Sequence, residues 1–131
     1  MIDILKLPGS QRPSGYSDGI AARGRFVFTS GVVGWNLQHV FETDDFVGQA
    51  RQAFANIVAI LADGGAKPEH LVRLTWYVVD RREYLSRPKE VGAAYREVFG
   101  RHFPAMAVVE VSGLMEERAR LEIEATAVVP D

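Results

Sequence analysis

Apolar residues recur at helical spacing after position 43: Val47, Ala50, Phe54, Ile57, Val58 and Leu61 share one stripe. Thr43 or Asp44 offers a short side-chain oxygen for the N-cap, and Gly64-Gly65 supplies the stop. A second stripe, Val91, Tyr95, Val98 and Phe99, starts near Pro88 and ends at Gly100. Residues 71–79 are rich in β-branched and aromatic side chains and read as a central strand. Residues 105–111 and 118–129 read as the last two strands, joined by a loop around Ser112-Gly113. Residues 2–7 alternate and predict a first strand, and residues 8–15 read as loop. Residues 19–22 and 25–30 predict a hairpin turned at Arg23-Gly24, with Phe26 and Phe28 on one face. Gly34-Trp35-Asn36 opens a loop running to Glu42, and residues 81–87 read as a polar connection.

The predicted order is β-β-β-α-β-α-β-β, an α+β arrangement in a single domain, residues 1–131. Right-handed crossovers place both helices on one face of a mixed sheet. The other face then needs a cover, because a large bare apolar face is unusual on a soluble monomer. Val27, Trp76, Val78, Val109 and Val111 are candidates to occupy it. This pattern alone points to oligomerisation.

Composition narrows the chemistry. The 131 residues suffice for one real core. Fifteen Lys and Arg against 17 Asp and Glu give a net charge of −2, with no general pull toward nucleic acid or anionic membrane. There is no cysteine, which excludes disulfides and thiolate catalysis and fits a cytoplasmic protein. Residues 1–7 lack the apolar centre of a signal peptide, and no run approaches the roughly 20 apolar residues of a membrane span. His39, His70 and His102 have no ligand spacing, so no metal is expected. No phosphate loop or nucleophile-elbow motif is present.

Glu122 and Glu124 stand two apart on a strand, on one face and roughly 7 Å from each other. They form either a solvated face or, where one is desolvated, an acid/base able to exchange protons near neutrality. Met106 is either a flexible core filler or an apolar cleft wall. Tyr16 either donates a hydroxyl to a ligand or packs over the hairpin, and Ser30 is either a polar contact or a turn residue. Trp35 suits a subunit contact, and Trp76 core or interface.

Several blocks, in order, resemble the RidA (YjgF) family of enamine/imine deaminases: Gly15-Tyr16-Ser17, Thr29-Ser30-Gly31, Gln49-Ala50-Arg51-Gln52-Ala53-Phe54, Trp76-Tyr77-Val78-Val79-Asp80, Phe103-Pro104-Ala105 and Leu121-Glu122-Ile123-Glu124-Ala125. The resemblance implies a chorismate-mutase-like mixed sheet with two helices on one face, assembled as a trimeric barrel with clefts between subunits. It implies hydrolysis of reactive enamines or imines to ketones and ammonia, without metal or organic cofactor. Tyr16, Ser30 and Gly31 match cleft positions, Tyr84 matches an aromatic that covers the ligand, the Ala107 amide would bind a carboxylate oxygen, and Glu122 would hold water.

Two positions depart from the family pattern. Met106 stands where active members carry an arginine, and Gly92 stands near a common asparagine. Methionine cannot form the bidentate, charge-assisted pair of a guanidinium with a carboxylate. Losing such a contact costs on the order of 2–5 kcal/mol when the partner charge is desolvated. Arg73, Arg87 and His102 are candidate replacements. The expectation is a cytoplasmic homotrimer that deaminates a small enamine or imine other than a simple 2-imino acid at its subunit interfaces, with no nucleic acid or membrane partner. The alternative is a non-catalytic small-molecule binder or regulatory protein of the same fold.

Overall fold

The computed structural model describes residues 2–131; Met1, counted above with the amino-terminal stretch, lies outside the described residues. The long apolar stripe forms α1 (Phe46–Asp63), which buries Val47, Ala50, Phe54, Ile57 and Leu61. Its N-cap is Asp45, one residue beyond the predicted caps: the Asp45 carboxylate accepts from the Gly48 N–H at 3.0 Å. Thr43 instead accepts from the Asp45 N–H through its hydroxyl, and Asp44 pairs with Arg118. Past the helix end Gly65 takes φ 77°, and the Ala66 N–H bonds back to the Leu61 carbonyl at 2.8 Å.

Strands β1 (Ile2–Leu5) and β2 (Gly19–Ala22) pair antiparallel in a separate ribbon. The main sheet holds β3 (Arg25–Phe28), β4 (Val32–Val33), β5 (Leu71–Val78), β6 (Ala105–Glu110) and β7 (Leu121–Val129). Its order is β3-β7-β5-β6, with β4 also on β7, and β5-β6 is its parallel pair. The expected hairpin at Arg23-Gly24 does not form. β1 takes the hydrogen bonds of β2, and β7 takes those of β3, with Arg25 opposite Val129 and Phe28 opposite Thr126. Gly24 is the hinge between ribbon and sheet; a Cβ there would stand 2.0 Å from the Val129 carbonyl oxygen.

Residues 81–87 contain a helical turn, α2 (Arg81–Leu85), capped by the Asp80 carboxylate on the Arg82 N–H. The second stripe forms α3 (Pro88–Phe99), which buries Val91, Ala94, Tyr95 and Phe99 and ends at Gly100, φ 80°. Helices α1 and α3 pack on each other over one sheet face, as expected. The ring of Phe54 is central there, edge-on to Trp76 at 5.4 Å and to Tyr95 at 5.7 Å.

Trp76 and Val78, proposed above for the far face, belong to this core at 1% and 0% exposure, and Val27 packs against it. The alternation of β5 decides this, because Trp76 and Val78 share a side with buried Leu74. Of the residues named above Val109 does lie on the far face, together with Phe26 and Phe28, all exposed. No closed barrel forms within one chain. No helix among the described residues is long and apolar enough to cross a membrane.

Candidate functional site

A cleft of about 950 Å³ opens beside β6. One wall comes from β1 and the loop before β2, the other from α2 and α3, and Trp76 and Met106 line it from the strands. The loop is fastened to the start of β6: the Ser17 N–H donates to the Pro104 carbonyl at 3.0 Å, and its hydroxyl donates to the Phe103 carbonyl. Gly15 supplies a turn at φ 79°, and Tyr16 between them lines the cleft with its side chain exposed. Tyr95 donates its hydroxyl to the His102 carbonyl at 2.6 Å and stacks on Phe103, centroids 5.3 Å apart. Tyr84 on α2 meets Trp76 edge-on at 5.3 Å. Burial pushes the hydroxyl pKa of Tyr84 and of Tyr95 upward, so both remain neutral donors.

Met106 therefore does sit on the cleft with Tyr16 and Tyr84. It faces the helices, opposite Leu74 in the β5 register, and packs against the core as well. Gly92 lines the same cleft.

Ser30, Gly31, Ala107 and Glu122 do not line it. Glu122 is half-buried on the far face of β7, opposite Val33 of β4 and Tyr77 of β5. Its carboxylate lies over Gly31, where a Cβ would stand 2.1 Å from Oε2, so glycine provides the space. Ser30 is exposed beside it, its carbonyl accepting from the Thr29 hydroxyl at 2.8 Å. Glu124 shares this face and accepts from the Tyr77 hydroxyl at 2.8 Å; that bond raises the Tyr77 pKa. In one protomer the matched residues thus form two groups on opposite sides of the sheet.

The Ala107 amide faces the wrong way for its expected role. The Val111 N–H donates to the Val78 carbonyl of β5 at 2.9 Å. Amide directions alternate along a strand, so the Ala107 N–H points into β5 as well, and the Val108 N–H points to the free edge of β6. Val108 is the residue whose amide stands open to a ligand at that edge.

Of the proposed replacement cations, Arg73 is exposed on the far face and Arg87 is held by Asp45 and Glu90, both at 2.6 Å. These pairs lower the carboxyl pKa of Asp45 and of Glu90. His102 lines the cleft, and its Nε2–H donates to the Leu71 carbonyl at 2.7 Å. Sequence reasoning missed Lys6, Arg12, Arg96 and Arg101, which all line the cleft. For Arg96 a signal was present: it stands one turn after Gly92, on the same helix face.

The family model described as Endoribonuclease L-PSP matches residues 9–129. A RutC family protein of Aquifex aeolicus is 34% identical over 127 residues, covering 95% of this chain and 97% of the relative. The 2-iminobutanoate/2-iminopropanoate deaminase of Escherichia coli K12 is 34% identical over 108 residues, 80% of each chain. Among solved structures, YyfB of Yersinia pestis, a protein of unknown function of the conserved Rid family, superposes with a TM-score of 0.85 at 28% identity over 98% of both chains. The YjgF gene product of E. coli gives a TM-score of 0.67 at 32% identity, over 96% of this chain and 98% of its own. With its order of motifs, its mixed sheet under two helices and a family match spanning nearly its whole length, the chain belongs to the Endoribonuclease L-PSP family, that of the RidA, YjgF and RutC proteins.

Proposed function

We propose that this protein hydrolyses an enamine or imine in a cleft completed by a second copy of the chain, and that simple 2-imino acids are poor substrates. The observation that carries the substrate limit is Met106 on the cleft wall, whose thioether cannot form the bidentate pair a guanidinium makes with a small carboxylate. The relatives named 2-iminobutanoate/2-iminopropanoate deaminase support the reaction class. The division of the matched residues supports a shared site: Tyr16, Tyr84 and Met106 come from the cleft of one subunit, and Ser30, Gly31 and Glu122 from the bare sheet face of the next. Exposed Phe26, Phe28 and Val109 on that face suit the burial such an assembly, a homotrimer, requires.

In the reaction, water adds to the carbon of the C=N bond as Glu122 takes a proton from it. Glu122 returns that proton to nitrogen, giving a carbinolamine. The carbinolamine hydroxyl then gives up its own proton, which Glu122 passes to nitrogen as the C–N bond breaks, so that ammonia leaves and a ketone remains. The Val108 amide and Tyr16 would orient the substrate.

The test uses imines generated in situ, with ammonia or semicarbazone readout against an uncatalysed control. Wild type should act poorly on 2-iminopropanoate, and Met106→Arg should raise that activity. Glu122→Gln in the same background should abolish the gain, since an amide cannot accept the proton. Efficient wild-type turnover of 2-iminopropanoate defeats the substrate limit. Persistence of the gain in the double variant removes Glu122 from the mechanism. A second reading, a non-catalytic binder, is favoured by the placement of Glu122 outside the cleft of its own chain. Ligand-dependent thermal stabilisation without turnover on any imine would select it.

A further inference from the structure

The charged residues lining the cleft are of one sign. Lys6, Arg12, Arg96 and Arg101 line it, with His102, and no carboxylate does. Across the whole chain acids outnumber bases, 17 to 15, so the imbalance is local. Arg23, Arg51, Arg87, Arg118 and Arg120 each pair with a carboxylate. Among the described residues Arg12, Arg96 and Arg101 in the cleft carry charge that no ion pair compensates, as do Arg25, Arg73, Arg81 and Arg82 outside it.

Polarity is graded within the cleft. Trp76, Val91 and Tyr95 are buried and supply an apolar inner part, with Met106 half-buried beside them, and the cations are exposed at the mouth. Trp76 also leaves its buried indole N–H without a hydrogen-bond partner, so an unmet donor lies in the wall as well as unmet charge.

Arg96 has a specific reason to be there. Its Nη1 lies 3.1 Å from where a Gly92 Cβ would stand, so the missing side chain at 92 makes room for the guanidinium.

Building on the reading of the cleft as a small-molecule site, we propose that it selects carboxylates with a bulky apolar body. The body lies against Trp76, Val91 and Met106, and the carboxylate lies at the mouth on Arg96, with Arg12 and Arg101 reinforcing the field. Same-sign charges along a low-dielectric wall raise the local concentration of an anion, and the apolar inner part rejects one that has no body to bury.

Calorimetry on the intact protein with unreactive ketones tests this. Phenylpyruvate should bind at least about tenfold more tightly than pyruvate, which lacks the body, and than phenylacetone, which lacks the charge. Arg96→Ala should weaken phenylpyruvate by about tenfold and leave phenylacetone unchanged. Gly92→Asn should reproduce the loss by displacing the guanidinium, and Arg51→Ala, on a surface pair elsewhere, should do nothing. Unchanged melting temperatures establish that the variants fold. Equal affinity for phenylpyruvate and phenylacetone, or indifference to Arg96→Ala, overturns the proposal. So does salt-dependent binding of a single-stranded RNA decamer with no binding of phenylpyruvate. Binding without turnover on any imine defeats only the deaminase reading; turnover with a cleft indifferent to Arg96 defeats only this one.

Discussion

The two faces of the main sheet use alternate residues of the same strands, yet they are built for different purposes. On the helix side, β7 presents Leu121, Ile123, Ala125 and Ala127, none more than 2% exposed, and β5 presents Leu74, Trp76 and Val78. On the far side the same strands present Glu122, Glu124, Thr75 and Tyr77, flanked by Phe26 and Phe28 at 55% and 67% exposure. The first face is satisfied within one chain. The second carries a carboxylate over a glycine and unburied aromatic rings, and it is the face on which the proposed assembly would close. Period-two alternation lets one strand present a buried apolar face and an exposed face of different chemistry without conflict.

The largest effect should come from breaking the first face. Phe54→Ala removes a ring packed against Trp76, Tyr95 and Phe99. Denaturant titration should show a loss of about 3–5 kcal/mol; a loss below about 1 kcal/mol would mean the helix–sheet interface tolerates a hole. Breaking the second face should do the opposite. Phe28→Glu should leave the stability of the isolated chain within about 0.5 kcal/mol, as for other exposed sites, while sedimentation shows the proposed trimer for wild type and a monomer for the variant. An unchanged trimer would relocate the interface.

The smallest effect sharpens the contrast from outside both faces. Asp45→Ala removes the α1 cap and a partner of Arg87, and should cost about 1 kcal/mol at neutral pH. The Arg87 guanidinium, and next the Gly48 amide, hold the Asp45 pKa below its ordinary value. The stabilisation is therefore fully present above the unfolded carboxylate pKa of about 4 and is lost as pH falls through the lower folded value. Unfolding curves of wild type and variant should begin to converge as pH falls below about 4 and meet once it is below the folded value; a gap that does not narrow with falling pH would mean the cap works without charge.

Much of this was legible in order along the chain. The stripes of α1 and α3, the glycines that end them, and the β-branched run of β5 follow from local periodicity and turn chemistry, which need no knowledge of neighbours. Gln49 shows where such reading stops. It is fully buried, and its amide bonds the Thr43 and Arg118 carbonyls and the Arg120 N–H. A glutamine amid an apolar stripe carries no mark of partners some 70 residues away.

By itself the sequence determined the two long helices, the longer strands and their order, though not the short α2 and β4, and the chemical identity of Met106, Gly92 and Glu122, because short-range spacing and residue type set these. Only the tertiary structure decided that β2 pairs with β1 and β3 with β7, that Trp76 and Val78 face inward, and that the Ala107 amide is spent on β5. It alone placed Arg96 in the space beside Gly92 and separated Glu122 from the cleft of its own chain. Strand partners and facing depend on which distant segments compete for the same backbone hydrogen bonds, and that competition is settled only when the whole sheet forms.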